Sequence, residues 1–164
     1  MNTVFIRIFI LLISLLLSFK ASSQIVHFNS DSLISYSKSF LGVKYKYGQS
    51  NPKIGFDCSG FVQYVFNHFK IQVPRASMDY EKAGRIVPID STKSGDIIVF
   101  TGTNSKIRKP GHVGIVVSNI GGQILFIHSS SGQKSNGVII TNFSLSDNYK
   151  KRLIKIARLG NVVW

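Results

Sequence analysis

A single cysteine, Cys58, stands inside the stretch GFDCSGFVQYVF. Asp57 is a favourable helix N-cap, and apolar residues recur through Phe61–Phe69 at helical spacing, so Cys58 is predicted to lie in the first turn of a helix. Backbone N–H groups and the positive end of the helix dipole lower a thiol pKa there and could hold an oxyanion. Gly60 adds no side chain that would block a substrate. The position therefore suits a cysteine nucleophile.

A thiol nucleophile requires a base, usually histidine, and often a third group that orients this base. Of four histidines, His27 lies in the N-terminal tail, and His68 lies roughly 15 Å along the helix from the thiol. His112 opens the predicted strand HVGIVVS, and His128 closes the predicted strand QILFIHS. A hairpin between these strands would bring both residues to one edge of a sheet. We therefore select His112 and His128.

Other uses of the thiol are a buried inert side chain or an intermolecular disulfide. One cysteine and two histidines would also just suffice for a catalytic zinc ion. The spacing of Cys58, His112 and His128 contains no compact ligand pair such as C-x-x-C or H-x-x-x-H. We therefore predict no metal and no other cofactor.

The elements that must position these residues follow from periodicity. Helices are predicted over 29–42, from residue 58 onwards and, as a short helix, over 77–84, with a loop over 43–55. Short runs rich in β-branched and aromatic residues then predict strands: GDIIVF, HVGIVVS, QILFIHS, GVIITNF and a last one within KRLIKIARLG. Helices first and antiparallel strands second indicate an α+β fold.

The first 23 residues are predicted to be a secretory signal peptide, because Arg7 precedes the apolar run Ile8–Ser18 and the small residues Ala21 and Ser23 follow. An uncleaved anchor is the alternative. Residues 24–164 then form one domain, without a stable transmembrane segment after leader cleavage. The net charge of +13 suits anionic wall or envelope polymers rather than nucleic acid in an exported protein, although scattered basic residues also fit a merely solvated surface.

From about Ser35 to Leu159, FDCSGFVQYVF, PRAS, SGDIIVF, GHVGIVVS and FIHSSS occur in an order that resembles the NlpC-type (p-sixty) cell-wall cysteine peptidases. This resemblance implies a papain-like α+β fold, in which a helix bearing the cysteine at its N-terminus packs on an antiparallel β-sheet bearing the histidines. It implies that Cys58 is the nucleophile, that His112 is the base and later the acid, and that His128 fixes the imidazole tautomer.

The same resemblance assigns substrate contacts to Tyr45, Asp57, Ser59 and Arg75. Each also has a structural alternative: helix capping for Asp57, a first-turn position for Ser59, packing for Tyr45 and an ion pair or carbonyl contact for Arg75. The chain departs from the family pattern at Tyr80, where a glutamine is common, at Gly48–Gln49, and in the long segment TNSKIRKPG. These departures are expected at the rim of the substrate groove.

The resemblance thus implies a secreted cysteine endopeptidase, in the periplasm or elsewhere in the cell envelope. Its partner would be peptidoglycan, cut in stem peptides or cross-links next to a D-amino acid or diaminopimelate. The alternatives are a thiol amidase or acyltransferase on another amide or lipid, and a non-catalytic wall-binding module. Labelling of the thiol by an electrophile distinguishes an activated from a buried or vestigial cysteine.

Overall fold

The computed structural model describes residues 26–27, 29–133, 135–159 and 162–163, with side chains for 29–133 and 135–159. The predicted leader, residues 1–23, and the side chain of His27 lie outside the described residues. None of the helices in the described part is long and apolar enough to cross a membrane.

The predicted helices form, with shorter bounds. Helix α1 spans Ser30–Lys38 and is capped by Asn29, whose side chain accepts from the backbone N–H groups of Asp31 and Ser32. Helix α2 spans Cys58–His68 and is capped by Asp57. The short helix predicted over 77–84 is a 3₁₀ helix, Ser77–Glu81.

The strands, in chain order, are β1 (Val26–His27), β2 (Ser50–Asn51), β3 (Gly55–Phe56), β4 (Arg85–Ile86), β5 (Ile97–Thr101), β6 (Pro110–Ile120), β7 (Gln123–Gly132), β8 (Ser135–Asn142), β9 (Leu153–Arg158) and β10 (Val162–Val163). A second 3₁₀ helix, Ile89–Ser91, precedes β5. Six strands form an antiparallel sheet in the order β4-β9-β5-β6-β7-β8. The predicted α+β fold is confirmed.

Two elements of the structure were not predicted. The loop predicted over 43–55 contains the small antiparallel pair β2–β3. The strand predicted within KRLIKIARLG is confirmed as β9, but the helix α3, Asp147–Arg152, precedes it. Ser146 caps α3 by accepting from the backbone N–H of Tyr149. Ser146 followed by Asp147 is an N-terminal signal that the sequence carries.

The large sheet separates two apolar clusters. On one face, Phe61, Val62, Val65 and Phe66 of α2 pack against alternate sheet residues such as Val113, Ile115 and Ile127. On the other face, a cluster around Phe100, Val116 and Phe126 is covered by Tyr149 and Leu153. The period of two along β6 decides which side chain meets which cluster. This sandwich holds the start of α2 against β6.

An ion pair buried in the domain explains the motif SGDIIVF. Arg158 Nε lies 2.7 Å from Asp96 Oδ1, and Arg158 Nη2 lies 2.8 Å from Asp96 Oδ2. The Asp96 carboxylate also accepts from the backbone N–H of Lys93 at 2.8 Å. Asp96 therefore ties the start of β5 to the end of β9 and takes no part in the site.

Candidate active site

Cys58 occupies the first position of α2, as predicted, and its side chain is buried with 8% exposure. Burial, and then the negative charge of Asp57, raise the pKa of the Cys58 thiol. Hydrogen bonds from backbone groups of Val113, Ser59 and Cys58 itself lower the thiol pKa, but by less than burial and Asp57 raise it. The expectation of a lowered thiol pKa is therefore wrong for the ligand-free protein, because burial counts for more than the helix terminus.

Gly60 serves packing rather than access. A Cβ built there would overlap the backbone oxygen of Gln49, and it would also come within 2.9 Å of Asp57 Oδ1. Gly60 is buried, and its N–H donates to Asp57 Oδ1 at 2.6 Å. The expectation that Gly60 keeps the thiol open to substrate is wrong. Its missing side chain lets the loop at Gln49 close on the start of α2.

His112 and His128 lie side by side on β6 and β7. His112 Nε2 and His128 Nδ1 are 2.9 Å apart, and His128 Nε2 is 3.0 Å from Thr141 Oγ1 on β8. Gly114 leaves room for them, since a Cβ there would be 3.1 Å from the His128 Cβ. Neither histidine ends its strand as predicted: β6 begins at Pro110 and β7 continues to Gly132.

This chain of contacts determines which tautomer can act as a base. If His128 Nε2–H donates to Thr141 Oγ1, then His128 Nδ1 accepts from His112 Nε2–H. His112 Nδ1 is then unprotonated and can accept a proton from a thiol. Thr141 is the outer contact of this pair, and sequence reasoning missed it because nothing in a lone threonine marks it.

Both imidazoles are neutral at pH 7. Burial, then His128 and the charge of Arg152, lower the pKa of His112 well below its usual range. Burial and Arg152 lower the pKa of His128 to about 3. The raised thiol pKa and the lowered imidazole pKa values favour a protonated thiol and neutral imidazoles.

The residues on either side of His112 both adjoin Cys58. Gly111 lines the same groove as Cys58, and a backbone hydrogen bond joins Val113 to the thiol. The backbone of the motif GHVGI therefore passes the start of the cysteine-bearing helix. The His112 ring itself lies on the other face of β6, against Phe100 and Tyr149.

The four predicted substrate-contact residues line one groove with Cys58, of about 410 Å³. Arg75 forms a bidentate ion pair with Asp57, at 3.0 Å and 2.7 Å, and Arg75 Nη1 also donates to Ser59 Oγ at 3.2 Å. Burial, and then the charges of Cys58 and Asp57, raise the pKa of Tyr45. The structural alternatives for Asp57 and Arg75 are therefore compatible with their places in the groove, because the Asp57 carboxylate both caps α2 and binds Arg75.

Further residues border the site without having been predicted. Ser77, the last residue of the motif PRAS, lines the Cys58 groove. A second cavity of about 350 Å³ is lined by His112 together with Tyr149 and Arg152 of α3. The signal that could have found the last two was the Ser146 cap, which marks the start of a helix that was not predicted.

Among the positions that depart from the family pattern, the segment TNSKIRKPG lies at the rim of the second cavity, which Thr103 lines. Gly48 lines the Cys58 groove. The expectation that Tyr80 lies at the groove rim is wrong: its side chain is fully buried, and its hydroxyl has no hydrogen-bond partner in the described structure. Tyr80 lies beneath the site, where burial raises its pKa.

His68 lies at the end of α2, is exposed, and stacks on Tyr36 at 3.9 Å between ring centroids. It is thus a surface residue, as expected. Within residues 29–133 and 135–159, no three His, Cys, Asp or Glu side chains cluster closely enough to hold a metal ion.

The sequence model of the NlpC/P60 family matches residues 42–158. The chain is 37% identical over 132 residues to a gamma-DL-glutamyl hydrolase of Bacillus subtilis, covering 80% of this chain and 30% of that protein. It is 35% identical over 119 residues to a murein DD-endopeptidase/LD-carboxypeptidase of Escherichia coli K12, covering 71% and 55%. An NlpC/P60 family structure from Bacillus cereus superposes with a TM-score of 0.70 at 27% identity, over 82% of this chain and 41% of that one. The chain thus spans about a third to a half of the length of these relatives.

Proposed function

This chain belongs to the NlpC/P60 family, and on that premise we propose that it is a cysteine endopeptidase that hydrolyses peptide bonds in peptidoglycan stem peptides or cross-links. The observation that carries the proposal is the arrangement around Cys58. A thiol at a helix N-terminus adjoins Gly111 and Val113, and the residue between them, His112, is hydrogen-bonded to His128.

In the first half of the reaction, the Cys58 proton passes to His112 Nδ1 as the sulfur attacks the scissile carbonyl carbon. Backbone N–H groups at the start of α2 stabilise the resulting oxyanion. His112 then donates its proton to the leaving amine, the C–N bond breaks, and a thioester remains on Cys58. Because both groups are neutral at rest, the ion pair forms only as bond formation proceeds.

In the second half, His112 Nδ1 accepts a proton from water, whose oxygen attacks the thioester carbon. Collapse of this second tetrahedral intermediate returns the proton to the sulfur and releases the carboxylic acid. His128 Nδ1 keeps its hydrogen bond with His112 Nε2–H while Nδ1 of His112 gains and loses the proton, and Thr141 contacts His128 from behind.

The substrate class rests on the relatives and on the groove. The relatives are a gamma-DL-glutamyl hydrolase and a murein DD-endopeptidase/LD-carboxypeptidase. The groove of Tyr45, Asp57, Ser59 and Arg75 presents hydroxyls and charges next to the thiol, which suits a polar peptide. Both kinds of bond, within a stem and between stems, are therefore candidates.

We further propose that residues 1–23 direct export and are removed, so that the domain acts in the periplasm or elsewhere in the cell envelope. Only Arg7 and Lys20 of the basic residues lie in the predicted leader, so the domain keeps most of the chain's net charge of +13, which would hold it near anionic wall or envelope polymers. Raising the ionic strength should then weaken retention on isolated cell walls, because salt screens exposed charges.

The test is a digest of purified muropeptides with residues 24–164, analysed by mass spectrometry beside the Cys58→Ala protein. New peptide products that require Cys58 would identify both the activity and the bond. If the muropeptides stay intact while Cys58 is labelled by an electrophile, the enzyme acts on another amide or a lipid. If the thiol also stays unlabelled at alkaline pH, where the raised pKa of Cys58 no longer suppresses the thiolate, the domain is a binding module.

A further inference from the structure

A second cavity lies beside the catalytic histidine, separate from the Cys58 groove. Gly111 borders the groove, whereas its neighbour His112 borders this cavity of about 350 Å³. Its polar lining includes Ser130, Tyr149 and Arg152. The proposed reaction uses none of these three residues.

Arg152 is a buried cation whose charge has no anionic partner in the described structure. Its exposure is 8%, its Nη2 donates to the Thr101 carbonyl at 2.9 Å, and its guanidinium lies 5.2 Å from the centroid of the Tyr149 ring. Its Nε has no hydrogen-bond partner among the described residues. No acidic side chain lines the cavity in that part of the chain. A buried charge without a counter-charge is costly, which suggests that a ligand supplies the negative charge.

Hydroxyl groups surround this cation. Tyr149 forms side-chain hydrogen bonds with both Arg152 and Ser130. Ser130 Oγ lies 3.4 Å from Ser135 Oγ, and Ser135 also lines the cavity. A guanidinium with adjacent hydroxyl donors is the chemistry that recognises a carboxylate.

We propose that this cavity binds a free carboxylate on the residue that supplies the leaving amine. The inference rests on the proposed peptidase function. His112 must protonate the leaving nitrogen, so the residue carrying that nitrogen lies on the His112 side of the scissile bond. Diaminopimelate in a stem peptide is a residue of this kind, with a carboxylate that is free unless it is amidated.

Binding such a carboxylate would also assist catalysis. The titratable and charged groups against His112 are His128 on β7, and Tyr149 and Arg152 on α3, with Cys58 of α2 beyond Val113. Arg152 is the cation among them, and its charge lowers the pKa of His112. A carboxylate paired with Arg152 would offset this charge, so that His112 accepts the thiol proton more readily once the right substrate is bound.

The experiment compares two muropeptides that differ only in the diaminopimelate group, as free carboxylate or carboxamide. We expect the wild-type protein to cleave the carboxylate form with a kcat/KM about 10- to 100-fold higher, the contribution of a charge-assisted hydrogen-bonded contact. Arg152→Gln should reduce this ratio to near one, because it should lower kcat/KM for the carboxylate form and leave that for the carboxamide form unchanged. Arg108→Gln is the matched control, since Arg108 is exposed and donates only to backbone carbonyls of residues 105, 151 and 153.

Equal rates for both substrates with the wild-type protein would overturn the proposal, and so would an undiminished preference in Arg152→Gln. If Arg152→Gln does not fold, Ser135→Ala replaces it and should narrow the ratio. A purely structural role of Arg152 would slow both substrates alike and leave their ratio unchanged.

A binding measurement separates this inference from the proposed function. Free diaminopimelate is titrated into the Cys58→Ala protein and followed by NMR. Saturable chemical-shift changes at Ser130 and Tyr149 would support carboxylate binding in the cavity, even if neither muropeptide were cleaved. These changes should be absent when Arg152→Gln is added. Absence of such shifts, with cleavage intact, would reject the carboxylate site and leave the peptidase standing.

Discussion

His112 Nε2 and His128 Nδ1 lie 2.9 Å apart, although the two residues belong to different strands. With Nε2 engaged, Nδ1 is the nitrogen that His112 uses in the proposed reaction, and the contacts extend through His128 Nε2 to Thr141 Oγ1 at 3.0 Å. One ring is thus held by the other, and the second ring is held by a hydroxyl. Each link in this chain can be tested separately.

Cys58→Ala and His112→Ala should each abolish muropeptide cleavage, because one removes the nucleophile and the other removes the base. Thermal unfolding should change little in Cys58→Ala, whereas His112→Ala also leaves Nδ1 of the buried His128 without its hydrogen-bond partner and should lower the unfolding temperature. His68→Ala is the matched histidine control and should retain activity, because this exposed residue lies at the far end of α2. Strong inactivation by His68→Ala would mean that the base has been misassigned.

His128→Ala should lower kcat about 10- to 100-fold, less than His112→Ala, because it orients the base without reacting. Thr141→Val should have a smaller effect in the same direction, since it removes only the hydroxyl that fixes the His128 tautomer. Single-turnover kinetics of the two variants would measure this order. A larger loss in Thr141→Val than in His128→Ala would contradict the relay.

The pH dependence of thiol alkylation should be steep. The raised pKa of Cys58 leaves little thiolate at neutral pH. In the ligand-free protein, the rate with iodoacetamide should therefore rise about tenfold per pH unit from pH 6 to 9. Stopped-flow or mass-spectrometric rates would test this. A rate that is already constant from pH 5 upwards would indicate a preformed thiolate–imidazolium pair and contradict the neutral resting state.

Stability should fall on acidification below about pH 6.5. His112 and His128 have lowered pKa values in the folded protein, that of His128 being about 3, so the unfolded chain binds more protons between these pH values. Each buried histidine then costs up to about 1.4 kcal/mol of unfolding free energy per pH unit. Urea unfolding at pH 7.5 and 5.5 would measure this. His128→Gln should flatten the pH dependence, whereas His68→Gln should leave it unchanged.

The Asp96–Arg158 pair should matter for stability and not for chemistry. Arg158→Met leaves the buried Asp96 carboxylate without its ion-pair partner, which should cost about 3 kcal/mol of unfolding free energy. Lys150→Ala breaks the exposed pair with Asp147 and should cost less than about 0.5 kcal/mol. Urea unfolding compares the two. Loss of turnover in Arg158→Met under conditions where it is fully folded would assign this pair to the site.

The sequence by itself determined what depends on neighbours along the chain. Asp57, Cys58 and the apolar spacing that follows were enough to predict a helix with the thiol in its first turn. The short runs of β-branched and aromatic residues in HVGIVVS and QILFIHS were enough to predict paired strands bearing His112 and His128. These features follow from capping and from periods of 3.6 and two residues, which act over only a few residues.

Only the tertiary structure decided what depends on register and packing. The β6–β7 register, with its shift between Val116 and Ser118, sets the facing positions of the two strands. Packing of α2 against β6 buries Cys58 and reverses the expected direction of its pKa shift, because desolvation depends on the whole fold. Arg152 reaches the site only because α3 folds back over the sheet, a long-range contact that local periodicity does not encode.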